Sequence, residues 1–281
     1  MTGVNPITLR TWERRYGLIS PARTDSGHRL YRDEDVALVQ RVMRLLNKGV
    51  PIGRVLDALS DPNRENFTAP CWESFKEQMF KAIVEYDERS LENTYQEALS
   101  LYPQRQVTDH VLIPTLETLG TRWLSSPAGI AEEHFFAVYM RNKLGARFHH
   151  RSMNVQGPRL IAACLPSEQH EIGLLLFSLT AHDRGYRLIL LGADMPLEGI
   201  GAAVKQTAAH AVVLSGTSAP PDDLWQSSLK PLVQSLSVPV FVGGPICVRH
   251  RTFIRHAGAI SLGNDDEQAL DLIDKTLNEW S

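Results

Sequence analysis

Pro166-Ser167-Glu168-Gln169-His170-Glu171-Ile172-Gly173 follows an apolar run, Leu160 to Leu165, and leads into an amphipathic helical pattern. A strand, a polar loop and a helix in that order open an α/β sheet, whose ligands bind in the loops at the carboxyl ends of the strands. A neutral imidazole at His170 is a good metal ligand, and Glu168 stands where it can hold the other ring nitrogen. Gly173 lets a bulky group come close to the backbone at the start of the helix. A lone loop histidine is equally compatible with a solvated residue, so the downstream sequence decides.

Forty-one residues separate Gly173 from Ser215-Gly216-Thr217, which ends a second apolar run, Ala211 to Leu214. A further 25 separate Thr217 from Gly243-Gly244, which ends Val238 to Val242. With Arg187–Leu191 and Ala259–Leu262, these runs alternate with helical stretches, the pattern of a parallel sheet covered on both faces. A flavodoxin-like strand order 2-1-3-4-5 is expected, with the small and polar clusters at the strand ends lining one cleft. Pro166-Ser167 and Ser215-Gly216 replace the aspartates that a phosphoacceptor domain needs at its first and third strand ends. No G-x-G-x-x-G follows the first strand, which removes the usual dinucleotide argument.

These clusters resemble the cobalamin-binding domain shared by methionine synthase and the mutases, with its D-x-H-x-x-G, S-x-L and G-G motifs at similar intervals. The resemblance implies that His170 is the lower axial ligand of cobalt. It also implies that Glu168, Gly173, Ser215, Thr217, Gly243 and Gly244 surround the cofactor, whose nucleotide tail the small residues admit. Glu168 stands where most of that family has Asp, and Thr217 where it has Leu.

The chain of 281 residues has room for two or three domains. Its formal charge of −3 is uneven: residues 1–60 carry ten Lys/Arg against six Asp/Glu, a local +4 that leaves about −7 on the remainder. A basic small domain on an acidic body suggests an anionic partner for one end. Cys71, Cys164 and Cys247 lie far apart without metal-ligand spacing, which fits a reducing cytoplasm. No signal peptide and no apolar run of spanning length is evident, so a soluble, cytoplasmic protein without membrane partners is expected.

At the amino end, Asn5 and Pro6 suit the start of a helix over residues 5–16. Leu9, Trp12 and Tyr16 recur at helical spacing towards a core. Asp25-Ser26-Gly27 is a turn between short extended arms, so residues 21–31 read as a basic hairpin. Helices follow from about Asp33 to Lys48 and on to about Leu59. A basic helix beside a basic hairpin suits DNA, although an ordinary solvated face has the same composition. Thr8-Leu9-Arg10-Thr11-Trp12-Glu13-Arg14-Arg15-Tyr16-Gly17-Leu18, with Pro21, Arg23, Gly27-His28-Arg29-Leu30-Tyr31 and Asp35, closely resembles the winged helix-turn-helix of MerR-type transcription regulators. That resemblance implies double-stranded promoter DNA as a partner, contacted by Arg10, Arg14, Arg15, Tyr16, Arg23, His28, Arg29 and Tyr31. Family members usually carry about ten more residues before Thr2-Gly3-Val4, forming a first helix. Either the start codon is placed too far downstream or the product lacks this helix, and the second case would leave Leu9 and Trp12 partly uncovered.

After a polar linker at Asp61-Pro62-Asn63-Arg64-Glu65-Asn66, helical patterns run over Cys71–Tyr86, Glu88–Leu101, Val107–Trp123 and Ile130–His150. Short connections imply antiparallel neighbours and a four-helix bundle, which on its own reads equally as a spacer. Trp123 is followed after nine residues by Glu133-His134, a pattern that resembles W-x(9)-E-H in light-responsive repressors of the CarH and LitR type. There the bundle caps the upper face of adenosylcobalamin. The resemblance assigns Trp123 and Glu133 to the adenosyl group, His134 to support of the pocket and Ile130 to its apolar lining. In that family a histidine following the tryptophan takes the cobalt after photolysis; here the position is Leu124.

The expected organisation is therefore multidomain: residues 1–62 a winged helix-turn-helix, all-α with a small β wing; 70–151 a helical bundle; 157–281 an α/β, flavodoxin-like (Rossmann-type) domain. The resemblances imply a non-enzymatic, cobalamin-controlled, DNA-binding repressor, with adenosylcobalamin as cofactor and photosensor and a homo-oligomer, dimer or tetramer, as its assembly. The alternatives are an MlrA-type regulator that does not use cobalamin, and a corrinoid methyl-carrier subunit.

Overall fold

The computed structural model describes residues 4, 9–10, 12–24, 27–47, 50, 52, 55–60, 72–149, 155–217 and 224–280. It divides into two compact units, Met1–Phe136 and Ala137–Ser281.

In the first unit Trp12–Tyr16 is wound as a π-helix, and β1 (Ala22–Arg23) pairs antiparallel with β2 (Arg29–Leu30) to form the wing. Two helices, α1 (Asp33–Asn47) and α2 (Val55–Ser60), complete the small domain. Its core is Trp12, Leu18, Ile19, Val39, Val42, Leu46, Ile52 and Val55. Trp12 is only 3% exposed, against the partial exposure expected of a product lacking the first helix, while Leu9 is half-buried; Leu18 and Ile19, with Val39 and Val42 of α1, share the core with Trp12. The expected helix start at Asn5-Pro6 and the linker at 61–66 lie outside the described residues.

The bundle starts with α3 (Trp72–Val84) and α4 (Glu88–Leu101). Asp87 caps α4 by accepting the Ser90 N–H at 3.0 Å, a cap worth about 1 kcal/mol. The next helix, α5, begins at Gln104, three residues earlier than expected, because Pro103 needs no backbone partner at a helix entry. It runs as Gln104–Val107, a π-helical Thr108–Leu112 and Ile113–Arg122. The wide turn stands just before Pro114, whose ring would crowd the His110 carbonyl in a regular helix. Helix α6 covers Gly129–His149. Met79, Ile83, Leu91, Leu112, Leu119 and Phe136 are among the fully buried side chains. The small domain is seated on the bundle: Leu101 packs against its core, and Gln106 Nε2 donates to the Leu46 carbonyl at 2.9 Å.

The second unit is built on a parallel sheet of β3 (Arg159–Cys164), β4 (Arg187–Gly192), β5 (Ala211–Ser215), β6 (Val240–Gly243) and β7 (Ile260–Gly263). Its order, β4-β3-β5-β6-β7, is the 2-1-3-4-5 arrangement expected from the sequence. Strand β6 starts two residues later than the apolar run, since Pro239 has no N–H for the ladder. Side chains alternate between two cores: Ile161, Ala163, Val212, Leu214, Val240 and Val242 on one face, Leu160, Ala211, Val213 and Phe241 on the other. Helices α8 (Ile200–Thr207), α9 (Lys230–Ser235) and α10 (Ile246–His256) contribute to the first core, α7 (Ile172–Asp183) and α11 (Asp266–Trp280) to the second. Among the described residues no helix is long and apolar enough to cross a membrane.

Candidate functional site

The loop after β3 is held by hydrogen bonds at nearly every residue. Leu165 N–H donates to the Ser215 carbonyl at 2.9 Å, tying the ends of β3 and β5 together. Ser167 and Asp194 both have positive φ, 66° and 48°, conformations that non-glycine residues adopt only when their surroundings hold them there. Each secures the other's loop: Ser167 N–H donates to Asp194 Oδ1 at 2.7 Å, and Asp194 N–H donates to the Glu168 carbonyl at 2.9 Å.

Within this frame Glu168 is 5% exposed, a buried carboxylate that needs partners. Its Oε1 accepts from the His170 backbone N–H at 2.9 Å and lies 2.6 Å from His170 Nδ1. Its Oε2 accepts from the Thr217 N–H at 2.5 Å and the Thr217 hydroxyl at 2.7 Å. Burial pushes the Glu168 carboxyl up, but the hydrogen bonds from His170 and Thr217 outweigh it and hold the group down to about 2. An ionised Glu168 makes Nδ1 the protonated nitrogen of the ring. Nε2 is then the nitrogen with a lone pair for a metal, on a side chain that is 54% exposed.

Sequence reasoning paired Glu168 with His170 and named Thr217 apart from them, and the structure brings all three into one network. It also places Ser215 at the end of β5 beside Gly243, its register partner on β6. Gly173 is exposed at the start of α7, and a Cβ built on it meets nothing within 4 Å, so the space above it is open. Gly244 has φ +93°, and a Cβ there would lie 2.6 Å from the Gly216 carbonyl oxygen; the approach of two loops already requires this glycine. Among the described residues no group of three or more His, Cys, Asp or Glu is placed to hold a metal ion. A single oriented imidazole with open space beside it fits a metal whose other ligands belong to a macrocycle.

Two features lay beyond sequence reasoning. Glu171, which follows His170, pairs with Arg141 of α6, and Asp194 braces the loop from across β3. These contacts join residues 27 or more positions apart with no motif spacing to announce them.

The tryptophan motif sits at the corner between α5 and α6 in the first unit. Trp123, Leu124, Ile130 and His134 are exposed and Glu133 is half-buried. Arg122 and Glu132, the residues just before Trp123 and Glu133, form an ion pair.

In the small domain, Glu13 binds both arms of the wing: Arg29 Nε donates to its Oε2 at 2.5 Å and Arg23 Nη2 to its Oε1 at 3.2 Å. The hydrogen bond from Arg29 holds the Glu13 carboxyl below its usual range. Arg10, Arg14, His28 and Tyr31 are exposed, and the Arg15 side chain lies outside the described residues. Tyr16, also expected to contact DNA, is half-buried. It packs against the domain core and its hydroxyl donates to the Ser100 carbonyl at 3.4 Å, as its helical spacing with Leu9 and Trp12 favours.

A family model of MerR HTH regulatory proteins matches residues 1–61, and one of the B12 binding domain matches residues 76–147. The HTH-type transcriptional repressor CarH of Myxococcus xanthus is 31% identical over 264 residues, 89% of this chain and 88% of CarH. The repressor CarA of the same organism is 29% identical over 263 residues, 92% of this chain and 88% of CarA. The monomethylamine corrinoid protein of Methanosarcina barkeri superposes with a TM-score of 0.56 at 17% identity, over 73% of this chain and 99% of that one, a likeness of fold alone. By its similarity to CarH along nearly its whole length, the chain belongs to the family of MerR-type HTH transcriptional repressors that carry a B12-binding domain.

Proposed function

We propose that this protein is a non-enzymatic, DNA-binding repressor whose signal is adenosylcobalamin, with light as the stimulus and a homo-oligomer as its dark assembly. The observation that supports the reading is the Glu168–His170–Thr217 network, which fixes Nδ1 of the imidazole and leaves Nε2 as the nitrogen that would take a metal. Adenosylcobalamin supplies a cobalt–carbon bond that light breaks.

His170 would hold the cobalt through Nε2, with Glu168 orienting the ring through Nδ1. Gly173, Ser215, Thr217, Gly243 and Gly244 border the space for the nucleotide tail. Trp123, Ile130, Glu133 and His134 recognise the adenosyl group, an apolar and hydrogen-bonding set suited to a nucleoside. Leu124 offers no metal ligand, and His134 is the residue of the motif that would be able to hold a metal in its place.

On the DNA side, Arg10 and Arg14 are the exposed cations of the recognition segment, with His28 and Tyr31 on the wing. Arg23 and Arg29 act on the phosphates from positions set by Glu13, and Arg15 extends the same basic run. Joining several such domains in one oligomer raises DNA affinity by avidity, so a change of assembly changes repression.

The reading is tested by selecting bound duplexes from a random library with the protein loaded in the dark, and then repeating the binding after green illumination. Selection of a palindromic or repeated site whose binding depends on cobalamin and light supports it. Equal binding with and without cobalamin, in dark and light, favours the MlrA-type alternative.

A further inference from the structure

The corner between α5 and α6 presents large apolar side chains to solvent, yet its backbone is tightly built. Trp123 is 56% exposed, Leu124 70% and Ile130 60%. Ser125 and Ser126 N–H both donate to the Arg122 carbonyl at 2.9 Å, Gly129 N–H to the Ser126 carbonyl at 3.0 Å, and Glu132 N–H to the Ala128 carbonyl at 2.9 Å. A Cβ on Gly129 would fall 2.7 Å from the Trp123 nitrogen and 2.8 Å from the Arg122 carbonyl carbon, so the start of α6 rests directly on the end of α5.

Across this contact Arg122 donates through both Nε and Nη2 to Glu132, which is 2% exposed. The same guanidinium lies over the Phe80 ring of α3, 5.0 Å from its centroid. A carboxylate so deeply buried is costly unless paired, so the pair has a strong preference for this one arrangement. Its position in sequence gives that preference a use: each partner immediately precedes a residue of the tryptophan motif.

We infer that Arg122, Glu132 and Gly129 are positioning residues that pre-set the angle between Trp123 and the Glu133-His134 pair, and so make the corner selective for a cobalamin bearing an upper nucleoside. None of the three contacts the ligand. The inference rests on the adenosylcobalamin reading above, and deepens it by separating residues that touch the adenosyl group from those that aim them. A corner held in one geometry binds without first being ordered, and the benefit falls only on ligands that reach it.

The test compares the full-length protein with Arg122→Met and Arg122→Lys, measuring dark equilibrium binding of adenosylcobalamin and of hydroxocobalamin, which has no upper nucleoside. Arg122→Met is expected to lose about tenfold on adenosylcobalamin, the scale of one charged hydrogen-bonded pair, and less than about twofold on hydroxocobalamin. Arg122→Lys, which keeps the charge but loses the two-pronged hydrogen bond and the stacking on Phe80, should recover only part of the loss. Equal losses on both ligands, or none on either, would overturn the inference.

Because Arg122→Met leaves a buried carboxylate unpaired, Glu132→Gln serves as a milder second variant, with far-UV circular dichroism to verify the bundle. Hydrogen exchange on the apo proteins gives a ligand-free measure: the amides of Ser126 and Gly129 should exchange faster in both variants, and unchanged protection would count against the inference. If the wild-type chain retained neither cobalamin, the adenosylcobalamin reading would fall, while hydrogen exchange would still decide whether the pair holds the corner.

Discussion

Thr217 donates both its backbone N–H and its hydroxyl to the same oxygen of Glu168, while the other oxygen of that carboxylate holds His170. The two departures from the cobalamin-domain motif, Glu for Asp and Thr for Leu, are thus in direct contact. The longer acid reaches a position where it needs an extra donor, and the residue at 217 supplies one. Thr217→Val keeps the shape and the backbone donor, so cobalamin affinity should fall by roughly 1 kcal/mol, about fivefold, with little change in Tm. Glu168→Asp together with Thr217→Leu should restore more affinity than the sum of the single losses implies, a coupling that a double-mutant cycle measures. Strict additivity would show that the two positions act independently.

The two glycines assigned to the cofactor should behave differently in its absence. Gly244→Ala places a Cβ against the Gly216 carbonyl at a positive φ, so the apo protein should lose roughly 2 to 3 kcal/mol, seen as a lowered Tm. Gly173→Ala meets open space on a helix and should be neutral or stabilising by about 0.5 kcal/mol. Gly173→Leu should leave the apo fold intact and reduce cobalamin binding. Normal binding by the leucine variant would move the cofactor away from α7.

How far the sequence carried the reading follows from the range of each interaction. Strand order was legible because β3 to β7 repeat one alternation of apolar runs and helical stretches, and His170 was legible because Gly173, Ser215 and Gly243 follow at motif intervals. The contacts that aim His170 were not: Asp194, Arg141 and the pairing of Glu168 with Thr217 depend on loops brought together only by the folded sheet. Tyr16 shows the same limit from the other side, since its core-facing helical phase was visible but Ser100, 84 residues on, was not.

Glu13 gives a prediction opposite to simple charge counting. Removing an acid from a basic DNA-binding face should strengthen phosphate attraction, yet Glu13 anchors Arg29 and Arg23 and so fixes the wing against the recognition segment. Glu13→Ala should therefore weaken specific DNA binding about tenfold or more, while non-specific binding at low salt rises slightly. Stronger specific binding by this variant would mean that the wing needs no anchor.

His170→Ala should reduce cobalamin retention without unfolding the protein, because Glu168 keeps its bonds from the His170 backbone and Thr217. Gel filtration of the loaded variant, followed by its absorption spectrum, reads this directly. Unaltered retention with an unaltered cobalt spectrum would remove His170 as the lower ligand.

The most direct test of the central claim is the absorption spectrum and elution volume of the purified wild-type protein after dark incubation with adenosylcobalamin and removal of free cofactor, repeated after green illumination. The expected result is a retained chromophore whose spectrum changes irreversibly on illumination together with a shift in elution volume, despite Leu124. A protein that retains no cobalamin, or retains it with neither spectrum nor assembly responding to light, would contradict a light-controlled adenosylcobalamin repressor.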